Sequence, residues 1–172
     1  MGAPLIRPAE PGDAEGCARV YAPYVTDSVA SFEARPPTAE DVRRRMAAAH
    51  AWLVAEDGGE VVGFAYGSTH RERAAYRWAA DVAIYLAASH HRRGLGRRLY
   101  GELFRTLRAR GLLRLCAGIT LPNPGSEGLH RALGFEEVGT YRRIGWKAGA
   151  WHDVRWFELD LAPSDDGPPP GA

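Results

Sequence analysis

The sequence predicts a mixed α/β domain, and three stretches carry that prediction. Trp52-Leu53-Val54-Ala55-Glu56 and Val61-Val62-Gly63-Phe64-Ala65-Tyr66, joined by Asp57-Gly58-Gly59, read as a β-hairpin: two β-rich runs around a glycine turn. Leu95, Leu99, Leu103 and Leu107 recur at helical spacing on one face of a helix that stops at Gly111. Leu113, Leu115, Ala117 and Ile119 then alternate, the period of a half-buried strand. With 172 residues, 45% of them hydrophobic, the chain suffices for one domain with a real core.

The other elements follow from local signals. Leu5-Ile6-Arg7 reads as a short strand. Asp13 caps a helix whose apolar positions are Ala14, Cys17, Ala18, Tyr21 and Tyr24. Pro36 and Pro37 keep Ser31 to Pro37 out of either neighbouring helix. Thr38-Ala39-Glu40-Asp41 approximates a capping box and opens a second helix with Val42, Met46 and Ala49 on its buried stripe. A strand spans about Trp78 to Leu86, and a short helix runs from about Ser126 to Leu133, stopped by Gly134. Strands at roughly Phe135 to Ile144 and Trp151 to Leu161 flank a turn region from Gly145 to Ala150. Residues 1–161 make the domain, and the proline-rich tail Ala162 to Ala172 is expected to be disordered.

Charge and cysteine content narrow the function. Twenty-two Lys+Arg stand against 21 Asp+Glu, a net charge of +1, which argues against a nucleic-acid or membrane partner. Cys17 and Cys116 form no C-x-x-C pair, which fits a reducing compartment and supplies no zinc framework. His90-His91 lacks a third ligand at metal spacing, and His152-Asp153 lacks a nucleophile, so no metal is expected. There is no apolar run of signal-peptide or transmembrane length, and a cytoplasmic location is expected.

One segment suggests chemistry. Arg92-Arg93-Gly94-Leu95-Gly96-Arg97 lies between a strand and the start of a helix. A helix N-terminus presents unpaired N–H groups, glycines let the backbone come close, and arginines grip phosphate bidentately, so this loop can hold a pyrophosphate. By itself the pattern also fits a convenient turn with solvated arginines. It is not a dinucleotide fingerprint, since Leu99 stands where the third glycine belongs.

With its neighbours, the loop becomes more specific. His91-Arg92-Arg93-Gly94-Leu95-Gly96 resembles the acyl-CoA pyrophosphate loop of the GNAT superfamily of N-acetyltransferases. Asn123, Leu129, His130, Gly134 and Phe135 fall at the spacing of that superfamily's later segment. Within it, Tyr76-Arg77-Trp78, Val82 to Leu86, Leu121-Pro122-Asn123, Leu129 to Phe135 and Gly149 to Val154 are similar to the phosphinothricin and methionine sulfoximine acetyltransferases.

The resemblance implies a mostly antiparallel central sheet flanked by helices, with an acetyl-CoA cleft between two splayed parallel strands. It implies that Ile84, Tyr85 and Leu86 offer backbone groups to the pantetheine arm. Arg92, Arg93, Gly94, Leu95, Gly96 and Arg97 would hold the pyrophosphate, and Asn123 a later part of the cofactor. Asp81 matches the family's catalytic Glu, one methylene shorter, and Val82-Ala83 replace small polar residues beside it. His130 stands where the superfamily has a general-acid Tyr. Phe32, Arg73 and Tyr76 match the substrate pocket, and Arg71 replaces a family Lys. Members of this kind commonly pair, which implies a homodimer.

The implied reaction is acetylation of the primary amine of a small molecule, an amino acid or analogue such as phosphinothricin. Deprotonating a lysine-like amine at pH 7 costs roughly 4–5 kcal/mol, against about 1 kcal/mol for an α-amine. A carboxyl near pKa 3.9 is a weak base for that task, so Asp81 is expected to attract the ammonium and relay its proton through water with His130. His130 could instead protonate the departing thiolate; the sequence leaves both roles open. Two rival functions use the same residues: acetylation of another small amine or a peptide N-terminus, and a catalytically silent CoA-binding sensor.

Overall fold

The computed structural model describes residues 2–162; the expected tail, from residue 163 onward, lies outside them. A seven-stranded sheet forms the centre: β1 (Leu5–Pro8), β2 (Ala51–Asp57), β3 (Glu60–Thr69), β4 (Ala79–Leu86), β5 (Arg114–Thr120), β6 (Glu136–Lys147) and β7 (Ala150–Asp160). Four helices accompany it: α1 (Ala14–Thr26), α2 (Ala39–Ala48), α3 (Leu95–Ala109) and α4 (Pro124–Ala132). The strand order is β1-β2-β3-β4-β5-β7-β6, and every neighbouring pair is antiparallel except β4 and β5.

Local chemistry explains the elements. Gly58 and Gly59 both take positive φ (59° and 83°), the geometry of a two-residue hairpin turn whose twist matches the strands. Thr38 accepts from the Asp41 N–H at 3.1 Å while Asp41 accepts from the Thr38 N–H at 2.9 Å, completing the capping box that opens α2. Alternate residues of β2 serve opposite faces: Leu53 and Ala55 join the core under α3, whereas Trp52 and Val54 join the core under α1 and α2. Leu99, Leu103 and Leu107 are fully buried there, each contributing about 2 kcal/mol of apolar burial.

Two boundaries differ from expectation. α4 begins at Pro124, because the Asn123 side chain accepts from the Ser126 N–H at 3.1 Å and proline suits the first helical position. The region between β6 and β7 shrinks to a two-residue turn: Ala148 and Gly149 take φ of 51° and 76°, so the strands pair through to Lys147 and Ala150. Lys147 thereby sits at a strand end, its ammonium donating to the Val25 and Ser31 carbonyls at 2.6 Å each.

The feature that positions the site is the β4–β5 pairing. It covers only Ala79↔Arg114, Ala80↔Leu115 and Asp81↔Cys116. Beyond Asp81 the two parallel strands diverge, β4 staying on β3 and β5 on β7.

Candidate active site

The loop entering α3 has two left-handed residues close together. Gly94 is left-handed at φ 75°, and Arg92 also has positive φ at 56°. The first intrahelical bond runs from the Arg98 N–H to the Gly94 carbonyl at 3.2 Å, which leaves the Leu95, Gly96 and Arg97 amides facing outward at the positive end of the helix dipole. No atom lies within 4 Å of the point a Gly94 side chain would occupy. Gly96 has the opposite constraint: a Cβ there would meet Leu129, Leu86 and Ile84 at 3.2, 3.5 and 3.8 Å, so it sets how closely α3 approaches β4. Amide donors, open space and the exposed Arg92, Arg93 and Arg97 side chains fit a pyrophosphate.

At the end of β4 the backbone is partly occupied. The Tyr24 hydroxyl donates to the Leu86 carbonyl at 2.7 Å and accepts from the Leu86 N–H at 3.3 Å. His91 Nε2 lies 3.0 Å from both that hydroxyl and that carbonyl. Leu86, expected to offer its backbone to the pantetheine, therefore has both polar groups engaged. Tyr24 fastens the loop entrance from 62 positions away, a pairing for which the sequence carries no signal. The Tyr85 ring is packed against Tyr21, Tyr24 and Phe64.

Asp81 closes the paired part of β4. Its side chain is 31% exposed, and burial pushes its pKa above the ordinary carboxylate value against the lowering effects of His70 and Arg71. His70, one residue past β3, donates from Nδ1 to Asp81 Oδ1 at 2.6 Å, the carboxylate being able only to accept. Sequence reading missed His70, because the Ser68↔Asp81 and Thr69↔Ala80 register is what brings it there. Tyr76 and Trp156 stand edge-on to its ring at 5.8 and 6.5 Å between centroids. Cys116 completes the neighbourhood: ligand atoms of His70, Asp81 and Cys116 lie within 4.8 Å of one another. The 2.6 Å bond joins two of these three donors to each other, the arrangement of a proton-transfer pair.

The remaining expected residues divide. Tyr76 is exposed beside His70, and Arg73 is exposed at the start of the same turn, its carbonyl accepting from the Tyr76 N–H at 2.9 Å. Phe32, between α1 and α2, packs against the β6–β7 hairpin at Gly145, 6.3 Å from the His152 ring. Among the described residues no contact joins it to Asp81. Asn123 spends its side-chain oxygen on capping α4.

His130, expected to relay a proton for Asp81 or to protonate the departing thiolate, lies buried in the core. It is 3% exposed; Nδ1 donates to the Ser126 carbonyl at 2.8 Å, which makes Nε2 the acceptor of the Tyr100 hydroxyl at 3.2 Å. Phe135 and Phe157 enclose the ring, and burial lowers its pKa. Both nitrogens have hydrogen-bond partners in this arrangement.

A splayed parallel strand pair lies above a helix start that carries glycines and exposed arginines, and comparison with known sequences says which family builds this arrangement. The Acetyltransferase (GNAT) family model matches residues 16–135. The chain belongs to the GNAT family of acetyltransferases. This GNAT enzyme is 37% identical to a phosphinothricin N-acetyltransferase of Streptomyces viridochromogenes, over 91% of its own length and 87% of that protein. It is 32% identical to an L-methionine sulfoximine/L-methionine sulfone acetyltransferase of Pseudomonas aeruginosa, over 95% and 98% of the two chains. The crystal structure of a phosphinothricin acetyltransferase from Sinorhizobium meliloti in complex with acetyl-CoA superposes with a TM-score of 0.93 at 31% identity, covering 99% of this chain and 95% of that one. No described helix of the GNAT chain is long and apolar enough to cross a membrane.

Proposed function

We propose that this GNAT enzyme moves the acetyl group of acetyl-CoA to the primary amine of a small amino-acid-like molecule bearing a second anionic or strongly polar group, phosphinothricin and methionine sulfoximine being the type. The observation that carries the reading is Asp81: a half-buried carboxylate at the point where β4 and β5 separate, suited to attract an ammonium toward a thioester in the cleft. Acetyl-CoA supplies the activated acetyl group. In this reading the amides at the start of α3, with Arg92, Arg93 and Arg97, bind its pyrophosphate, and the Ile84 and Tyr85 backbone orients the arm.

The acceptor's charged end belongs, in this reading, to the loop after β3. Arg73 and Arg71 are exposed there beside Tyr76, and guanidinium groups pair with carboxylate or phosphinate bidentately. Phe32 contributes an apolar wall from the β6–β7 side. His130 supports α4, the helix that carries Leu129 onto Gly96, and acts on the cradle through packing.

Two further assignments belong to the proposal. Val138, Tyr141, Ile144, Trp146 and Trp151 on β6 and β7 are each at least half exposed, and a second copy covering them accounts for so much apolar surface on one hairpin. Cys17 and Cys116 are both free thiols, which suits the reducing cytoplasm.

Thiol release from acetyl-CoA tests the function against phosphinothricin, methionine sulfoximine, methionine sulfone, common amino acids, polyamines, aryl amines and short peptides. Efficient turnover of the first three is expected. Turnover confined to peptides or polyamines would discard the substrate class, and tight acetyl-CoA binding with no turnover would leave a sensor. Sedimentation at micromolar concentration tests the dimer.

A further inference from the structure

We propose that His70 is the base of this enzyme: its Nε2 takes the proton from the acceptor ammonium, and Asp81 is the positioning residue that holds the imidazole in the competent tautomer. This rests on the reading that places the amine at Asp81.

The imidazole sits where such a base must. Its Nδ1–H is committed to Asp81 at 2.6 Å, which fixes the lone pair on Nε2, and Nε2 has no partner among the described residues. Tyr76 and Trp156, edge-on at 67° and 82°, restrain the ring plane, and the side chain remains 18% exposed. Asp81 carries a short side chain, and His70 extends its reach by the width of an imidazole. The carboxylate also favours the imidazolium once the proton arrives, as a buried acid does behind a general-base histidine.

Proton affinities select the same atom. As residue types, an imidazole is the stronger base and a carboxylate the weaker, which favours the histidine of the pair as acceptor of an amine proton. The ionisable groups around the pair come from four elements. Arg71 on the adjoining loop acts on Asp81 as a cation, Tyr66 of β3 and Cys116 of β5 are pushed upward by burial and stay neutral at pH 7, Tyr76 flanks the imidazole, and Glu158 and Arg114 lie beyond Cys116.

The protons balance. The ammonium gives one proton to His70 Nε2, which passes it to solvent. The freed nitrogen bonds the acetyl carbon, the carbon–sulfur bond breaks with its electron pair on sulfur, and the second nitrogen proton finishes on the CoA thiol.

His70→Asn tests the assignment in the full chain, because an amide can still donate to Asp81 but has no basic nitrogen. With the best amine of the panel, kcat at pH 7 is expected to fall about 100-fold while the acetyl-CoA Kd from calorimetry stays within about twofold. The acid limb of the wild-type kcat/KM profile is expected to disappear in the variant, and free imidazole to restore part of the activity of His70→Ala. Wild-type kcat with an unchanged acid limb in His70→Asn would overturn the role of His70. So would activity lost in step with the melting temperature and not rescued by imidazole, since that pattern belongs to packing. If Asp81→Asn is inactive while His70→Asn is active, only His70 is wrongly assigned; a wild-type chain that acetylates no amine removes the enzymatic reading itself.

Discussion

Asp81 and Cys116 are the last residues at which β4 and β5 remain paired, so the Asp81 carboxyl stands where the two strands part. Its burial has a cost. A carboxyl whose pKa is raised on folding binds its proton more tightly in the folded chain, so its contribution to stability is full below the unfolded value near 3.8 and is lost as pH rises through the folded one. At pH 7 the ionised group therefore weighs against the fold. Asp81→Asn is expected to keep or raise the melting temperature at pH 7 while kcat falls about 100-fold and the acetyl-CoA Kd holds. A drop in melting temperature would make Asp81 a structural tie.

His130 has the opposite acid response. Burial depresses its pKa, so the unfolded chain takes up a proton that the folded chain refuses, and stability declines as pH falls below about 6.5. Thermal melts between pH 7.5 and 5 should show that decline. His130→Gln should flatten it and cost about 1–3 kcal/mol at pH 7.5 through the Tyr100 and Ser126 partners left behind. An unchanged pH profile in the variant would place the sensitive group elsewhere.

Gly94→Val separates binding from chemistry. A branched residue forced into φ 75° costs about 1–2 kcal/mol, and its side chain enters the open space in front of the α3 amides. Acetyl-CoA affinity should fall at least about tenfold, with kcat at saturating acetyl-CoA largely kept. Wild-type affinity would remove the cradle assignment.

Gly145→Ala probes Phe32. The added Cβ would collide with the Phe32 ring, which at 41% exposure has room to swing away. The acceptor KM is expected to rise several-fold with little change in melting temperature or acetyl-CoA Kd, as follows when an apolar wall contact is lost. An unaltered KM would take Phe32 out of the pocket.

What the sequence disclosed was local. The Thr38–Asp41 box, the Gly58-Gly59 turn, the leucine face of α3 and the glycine loop before it are each written within a few neighbouring residues. What stayed hidden depends on register and burial. His70 meets Asp81 only because β3 and β4 pair at Ser68↔Asp81, Tyr24 meets Leu86 only through the packing of α1, and His130 looked reactive until Tyr100 and Phe157 closed over it. A family pattern names the residue at a position, but the orientation of its ring nitrogens follows from partners distant in sequence.

The anchoring of Lys147 has a chemical corollary. An enzyme that activates acetyl groups beside amines is exposed to its own reagent, and every surface lysine is a competing nucleophile. This chain carries 21 arginines and a single lysine, Lys147. Guanidinium groups stay protonated and do not accept acetyl groups under the same conditions. The one ε-amine is engaged by two backbone carbonyls at the end of β6, which fix its position and occupy two of its hydrogens. Incubated with excess acetyl-CoA and no acceptor, the protein keeps its side chains unmodified.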